Sequence, residues 1–329
     1  MLCAAFAAWQ AAAPPPPINV RLERVRADLF SRAERLPEDV HELKAVLALD
    51  PRSAEAHVLL GIAYSTGGSK DLKGEAIGEF RQALEIDPGL VPVHFYLAHL
   101  YLDLGRAARA REELEAGLVK APGNPEFLAL LGEAERQLKN PSRAMEVTRQ
   151  ALKGDESFAQ ARYFLGLALL DLGQRDEAIK ELEQVVRSGP IVTDTYLALG
   201  KAYIDAGRNA DAIETLVKGL RLDATRPELH IALARAYRAN GMLPRADEQL
   251  ALGKPKGPVS AASSDYPYQQ VDLDYQLELG QLRLQQGQLA AAAQAFKKVL
   301  DMEPKHDAAT RGLAEVNRRL GGKKPGGGR

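Results

Sequence analysis

Apolar positions recur along this chain in paired, helix-length stretches. Segments beginning at Val91, Pro125, Ala159, Thr193 and Pro227 follow one another without a gap, each 34 residues after the last, as from 91 to 125. The first stretch of each is apolar at Leu97, Leu131, Leu165, Leu199 and Leu233, and the next residue is small: Ala98, Gly132, Gly166, Gly200 and Ala234. A large side chain there would hold a neighbouring helix away. The small residues therefore predict close helix contact, despite a helix penalty of about 1 kcal/mol for Gly. One turn further on, Tyr101, Leu169, Tyr203 and Tyr237 continue the same face and are expected to fill the core inside each repeat. Gly105, Gly173, Gly207 and Gly241 mark the turn, where a left-handed residue closes the first helix. In the second stretch Ala110, Ala144, Ala178, Ala212 and Ala246 each precede Leu114, Thr148, Leu182, Leu216 and Leu250 by four residues, which is helical spacing. Pro122, Pro190 and Pro258 are expected to end the second helix, because proline lacks the amide and clashes with the preceding turn.

A helix-turn-helix unit of this length, with L-G-x-x-Y, then Ala, then a proline stop, resembles the tetratricopeptide repeat family. Two further copies fit with insertions. One starts at Ala54 and carries Leu60, Gly61, Tyr64, Ala76, Phe80, Ala83 and Pro88; the other starts at Leu273 and carries Leu279, Gly280, Gly287, Ala292, Phe296 and Pro304. Residues 20–53 read as a degenerate first repeat through Phe30, Leu43, Val46 and Pro51, departing from the pattern at Arg26 and Ala27. The array is thus expected over 54–252, an inserted Pro/Ser/Gly-rich loop over 253–272, and the last repeat with a solvating cap helix over 273–320. Glu135 and Arg283 stand where other copies have Tyr. The resemblance implies an all-α, right-handed superhelical solenoid of stacked antiparallel helix pairs, about eight repeats plus a C-terminal capping helix.

Composition narrows the function classes. The 329 residues carry 43 Lys and Arg against 44 Asp and Glu, a formal net charge of −1, so the overall basic excess of a general nucleic-acid binder is missing. The single cysteine, Cys3, lies in the N-terminal stretch, which leaves the body without a thiol nucleophile or thiolate metal site. No apolar run reaches the roughly 18 residues a bilayer span requires. Residues 1–19, Ala-rich and then four prolines, read as a leader whose apolar part favours export to a periplasm over a cytoplasmic place, although no basic residue precedes Arg21. Residues 321–329 read as a flexible tail.

Candidate chemistry is sparse. His57, His94 and His230 occupy equivalent places on the first helices, and a packing role explains them better than metal binding, since no two histidines are one turn apart. Gly67-Gly68-Ser69-Lys70 has the wrong order for a phosphate loop, and Asp272-Leu273-Asp274 lacks the glycine of a calcium loop because Leu277 occupies that place. The expectation is no catalytic residue, no cofactor and no metal. Instead the family resemblance implies a concave groove, lined by the first helices, that binds peptides or helices of a protein partner of unknown identity. Its expected contacts are Phe95, His99, Tyr163 and Leu167, with Lys201, Arg235 and Arg238 making the later part basic and suited to an acidic partner. Co-chaperone members hold a peptide carboxylate with paired Lys and Asn, and the Asn is missing; sugar-transferring members carry an Asn ladder where this chain has Leu59, Tyr96, Leu130, Phe164, Ala198 and Ala232. The alternative is a structural protein that self-assembles, as a homo-oligomer, by end-to-end stacking of its terminal repeats.

Overall fold

The computed structural model describes residues 16–31, 36–66, 69–188, 192–255 and 266–321. The leader up to residue 15, Cys3 with it, the tail from 322, Gly67, Gly68, Pro190 and Pro258 lie outside them, as does the side chain of Phe30. Among the described residues there are seventeen α-helices and no strand, and no helix is long and apolar enough to cross a membrane. The chain forms two compact units that divide within one helix, after Phe164.

The first unit holds α1 (Ile18–Ser31), α2 (Leu36–Leu49), α3 (Ala54–Thr66), α4 (Lys70–Ile86), α5 (Val91–Asp103), α6 (Ala107–Lys120), α7 (Pro125–Gln137), α8 (Pro141–Gly154) and the start of α9 (Ala159–Asp171). Five helices begin at the five segment starts read from the sequence, because those residues suit a helix's first turn. At α7, for example, Asn124 caps the helix by accepting from the amides of Glu126 at 2.9 Å and Phe127 at 3.2 Å, and Pro125 takes a position whose amide needs no partner. Helices stop two residues before proline at Leu49, Ile86 and Lys120, since the residue preceding proline is steered out of helical geometry. One apolar cluster runs through this unit from Leu22 to Val147, so consecutive hairpins share a continuous core.

The second unit continues with α10 (Arg175–Ser188), α11 (Thr193–Asp205), α12 (Asn209–Leu222), α13 (Pro227–Ala239), α14 (Leu243–Leu252), α15 (Tyr266–Gln285), α16 (Leu289–Met302) and α17 (Asp307–Gly321). Two expectations change here. The loop expected over 253–272 is shorter, because α15 already begins at Tyr266 and the aspartates at 272 and 274 lie on a helix. And α14 ends at Leu252 on the Gly253 cap, so Pro258 is not what stops it. Among the apolar clusters of this unit, one gathers around Ile231, Leu250, Tyr275 and Leu282 and another around Phe296, Val299 and Val316.

The small residues do what their spacing predicts. A Cβ built on Gly61 would lie 2.7 Å from the Phe80 ring, on Gly166 2.8 Å from Leu182, and on Gly280 2.6 Å from Phe296. Each glycine therefore admits a large side chain of its own repeat's second helix against the first helix's backbone, and that side chain is fully buried. Fully burying a Leu or Phe contributes about 1.5–3 kcal/mol. Two of the tyrosines, Tyr101 and Tyr203, do more than fill the core: they are buried, and their polar tips reach back to the preceding repeat. Arg81 of α4 donates to the Tyr101 hydroxyl at 2.8 Å, and the Tyr203 hydroxyl donates to Glu183 of α10 at 2.6 Å. A phenol is long enough to cross from one hairpin to the next, so this position ties repeats together as well as filling them.

Candidate functional site

The three histidines are staples within their repeats. Glu79 Oε2 lies 2.6 Å from Nδ1 of His57, Glu113 Oε2 lies 2.8 Å from Nδ1 of His94, and Gln249 Oε1 lies 2.8 Å from Nδ1 of His230. In each case the first helix is bonded to the second helix of the same hairpin, which satisfies a ring nitrogen in a half-buried or buried place. Among the described residues no group of three or more His, Cys, Asp or Glu is placed to hold a metal ion. Of the rejected phosphate-loop stretch, Ser69 caps α4 by accepting from the Leu72 amide at 3.2 Å.

The expected groove residues divide into two groups. In the first unit Phe95, His99 and Tyr163 are half-buried, and Phe95 is already committed to neighbours: its ring sits 4.7 Å edge-on from His99 and 5.5 Å from Phe127. Burial drives the His99 pKa below its ordinary value, opposed by the charge of Asp103. Leu102, three residues after His99, is buried, and Glu133 is engaged by Arg136 through Nε at 2.8 Å and Nη2 at 2.9 Å. Leu167 is half-buried in the second unit.

Lys201, Arg235 and Arg238, expected to make the later part of the groove basic, lie on α11 and α13 of the second unit. Arg235 pairs with Asp205 at 3.1 Å, and Arg238 clamps the buried Glu278, its Nη2 reaching Oε2 at 3.1 Å and also Gln281 at 2.5 Å. Burial pushes the Glu278 carboxyl above its ordinary value while the Arg238 guanidinium pulls it back. Two of the three cations are thus paired with carboxylates of neighbouring helices, and Lys201 has no such partner among the described residues. Glu278 was legible in one respect: it occupies the register place held by Ala198 and Ala232 in the preceding repeats.

These groups line a recess of about 280 Å³ on the first-helix face of the second unit. Lys201 and Asp205 come from α11, Glu228, Ile231 and Arg235 from α13, Asp274, Leu277 and Glu278 from α15, and Ala308 from α17. Its carboxylates Glu228 and Asp274, which sequence reading passed over, stand at matching places in the first turns of α13 and of the repeat counted from Leu273. The Tyr-replacing residues also find partners: Asn140 donates to the buried Glu135 at 2.9 Å, and Arg283 donates to Asp247 at 2.8 Å. At the Tyr203 place, burial and the bond to Glu183 push the phenol up to about 12.

Comparison with known proteins places the helical register among described repeats. Two family models described as tetratricopeptide repeat match residues 74–134 and 203–264, and residues 24–91 and 277–322. A model described as anaphase-promoting complex, cyclosome, subunit 3 matches residues 117–185. Anaphase-promoting complex subunit 3 of Schizosaccharomyces pombe is 24% identical over 166 residues, covering 50% of this chain and 24% of that protein. Superkiller complex protein 3 of Mus musculus is 27% identical over 168 residues, covering 49% of this chain and 11% of that protein. The chain therefore spans a quarter or less of the length of either curated relative. Among solved structures, one in the APC/C hetero-tetramer Cut9-Hcn1 aligns with a TM-score of 0.64 at 16% identity, over 93% of this chain and 57% of that one. Pseudomonas aeruginosa pilF aligns with a TM-score of 0.53 at 19% identity, over 70% of this chain and 98% of that one. At these identities the two structures share the fold with this chain.

Proposed function

This chain belongs to the tetratricopeptide repeat family, and from that premise we propose that it is a non-catalytic scaffold that seats peptides or helices of protein partners along the face lined by its first helices. The observation that carries this reading is the row of apolar side chains at one register place of successive first helices. Phe95 and Tyr163 stand two repeats apart in that row and are half-buried, which leaves part of each ring available to a partner. His99 is half-buried one turn further along its helix in the first unit, and Leu167 and Lys201 hold the same register place on their own helices in the second unit. The relatives add support of a general kind, since both curated proteins are named as members of multi-protein complexes.

A photo-crosslinking amino acid placed at His99 or Lys201 tests the face. Adducts with partner proteins are expected from these positions and not from exposed second-helix positions such as Glu112 and Glu146. Adducts from the second-helix positions alone would assign binding to the opposite face and end this reading.

A further inference from the structure

His99 differs from the other histidines of the first helices. His57, His94 and His230 each hold a side chain on the second helix of their own hairpin, whereas His99 has no hydrogen bond among the described residues. Its half-buried ring stands edge-on to Phe95 instead, 4.7 Å away with 79° between the planes. Phe95 rests in turn on the buried Phe127 at 5.5 Å, and Val58 and Ile62 of α3 lie half-buried on the same apolar core. The ionisable side chains of the helices packed on α5 have partners. Lys73 and Arg81 of α4 donate to Asp103 and to the Tyr101 hydroxyl, each at 2.8 Å, and Glu113 of α6 is bound to His94. On α7 Glu133 is held by Arg136, and on α3 Glu55 and His57 are paired with Arg26 and Glu79. Asp103, one turn beyond His99 on α5, is the charge that acts on the imidazole; it favours protonation, and the larger effect of burial opposes it.

With the surrounding charges paired on the chain itself, what this face offers a partner is the apolar surface of Val58, Ile62 and Phe95, and an apolar side chain is the group that fits it. Such a side chain, seated on Phe95, also covers the imidazole edge beside it. Stripping water from a neutral imidazole costs far less than stripping it from an imidazolium. Asp103 returns little of that cost, because Lys73 already holds its Oδ2. We propose that His99 is a proton-operated switch on the first unit's partner face: neutral, it lets an apolar partner side chain seat on Phe95, and protonated, it expels that side chain, so the partner is released on acidification. The inference rests on the first-helix face being the binding face.

The test uses the full chain and rhodamine-labelled degenerate dodecapeptides of uncharged residues with Leu, Phe or Ser fixed at the centre, read by fluorescence anisotropy at constant salt, together with NMR of the histidine ring signals. The Leu and Phe peptides are expected to bind more tightly than the Ser peptides at neutral pH and to lose about tenfold in affinity as pH falls through the His99 titration. By linkage, saturating Leu or Phe peptide should then lower the His99 titration by about one pH unit. His99→Gln should remove the pH dependence, whatever affinity it leaves, and its spectrum identifies the His99 signal by its loss. If that substitution disturbs helicity, the shift of the wild-type signal decides. The same pH dependence in wild type and His99→Gln, or a His99 titration that bound peptide does not move, would overturn the inference and leave the groove reading standing. Equal binding of Leu, Phe and Ser peptides, or no binding by any, would also overturn it, and the crosslinking experiment would then decide the face by itself.

Discussion

Lys139 holds a backbone conformation that the other comparable turns among the described residues give to glycine. Its φ is 64°, and the equivalent residues Gly105, Gly173, Gly207, Gly241 and Gly287 have φ between 68° and 77°. The turn needs that geometry because the next amide closes back on the first helix; Asn140 donates to the Glu135 carbonyl at 2.9 Å as Arg106 does to Tyr101 at 2.7 Å. A side chain in the left-handed region costs about 1–2 kcal/mol, of which glycine's looser unfolded chain returns a part. Lys139→Gly should therefore raise stability by about 0.5–1 kcal/mol, measured as a higher denaturation midpoint with unchanged helicity; a lower midpoint would show that the lysine earns its place by contacts. Thr195 supports a second expectation. It is buried at 2% exposure, and its hydroxyl oxygen has no hydrogen-bond partner among the described residues. Thr195→Val keeps the shape and removes the unpaired group, so it should stabilise by about 1 kcal/mol. A loss of stability in equilibrium unfolding would mean that the hydroxyl finds a water.

At the scale of elements, the last hairpin is joined to the one before it partly by polar contacts. Asp247 of α14 receives Arg283 at 2.8 Å and Gln286 at 2.9 Å, both from the α15 end of the hairpin. The hydrogen bond from Arg283 holds the Asp247 carboxyl below its ordinary value, against an opposing effect of burial. A carboxyl whose pKa is depressed on folding stabilises above its unfolded value and loses that contribution as pH falls through the folded value. This junction should thus weaken on acidification below about pH 4, close to the ordinary carboxyl value. Hydrogen exchange of α15 amides should accelerate there in the wild type, while Asp247→Asn should show faster exchange already at neutral pH and no further acid step. The sequence marked Arg283 as a departure from the tyrosine pattern. It could not supply the partner, because Asp247 lies 36 residues upstream across an insertion that breaks the register.

At the scale of the whole molecule, a stack of hairpins needs a polar end. We propose α17 for that role: it buries Ala309 and Val316 and turns basic residues outward at Arg318 and Arg319. Gly312 faces the Phe296 ring so closely that an added Cβ would clash, which lets the cap sit directly on the last hairpin. Removing Asp307–Gly321 should uncover Phe296 and Val299, each now fully buried, at a cost of about 1.5–3 kcal/mol for each such side chain. Light scattering should then report association and the melting temperature should fall; a monodisperse truncated protein with unchanged melting would show that α17 is no cap. The sequence by itself determined the register: helix starts from Val91 to Pro227, the glycine and large-residue contacts and the turns follow from residues whose roles are set within one repeat. Only the tertiary structure decided the charge of the first-helix face. Arg235 meets Asp205 30 residues away and Arg238 meets Glu278 40 residues away, on neighbouring first helices, so whether a cation is free or spent depends on packing between repeats and not on the repeat's own pattern.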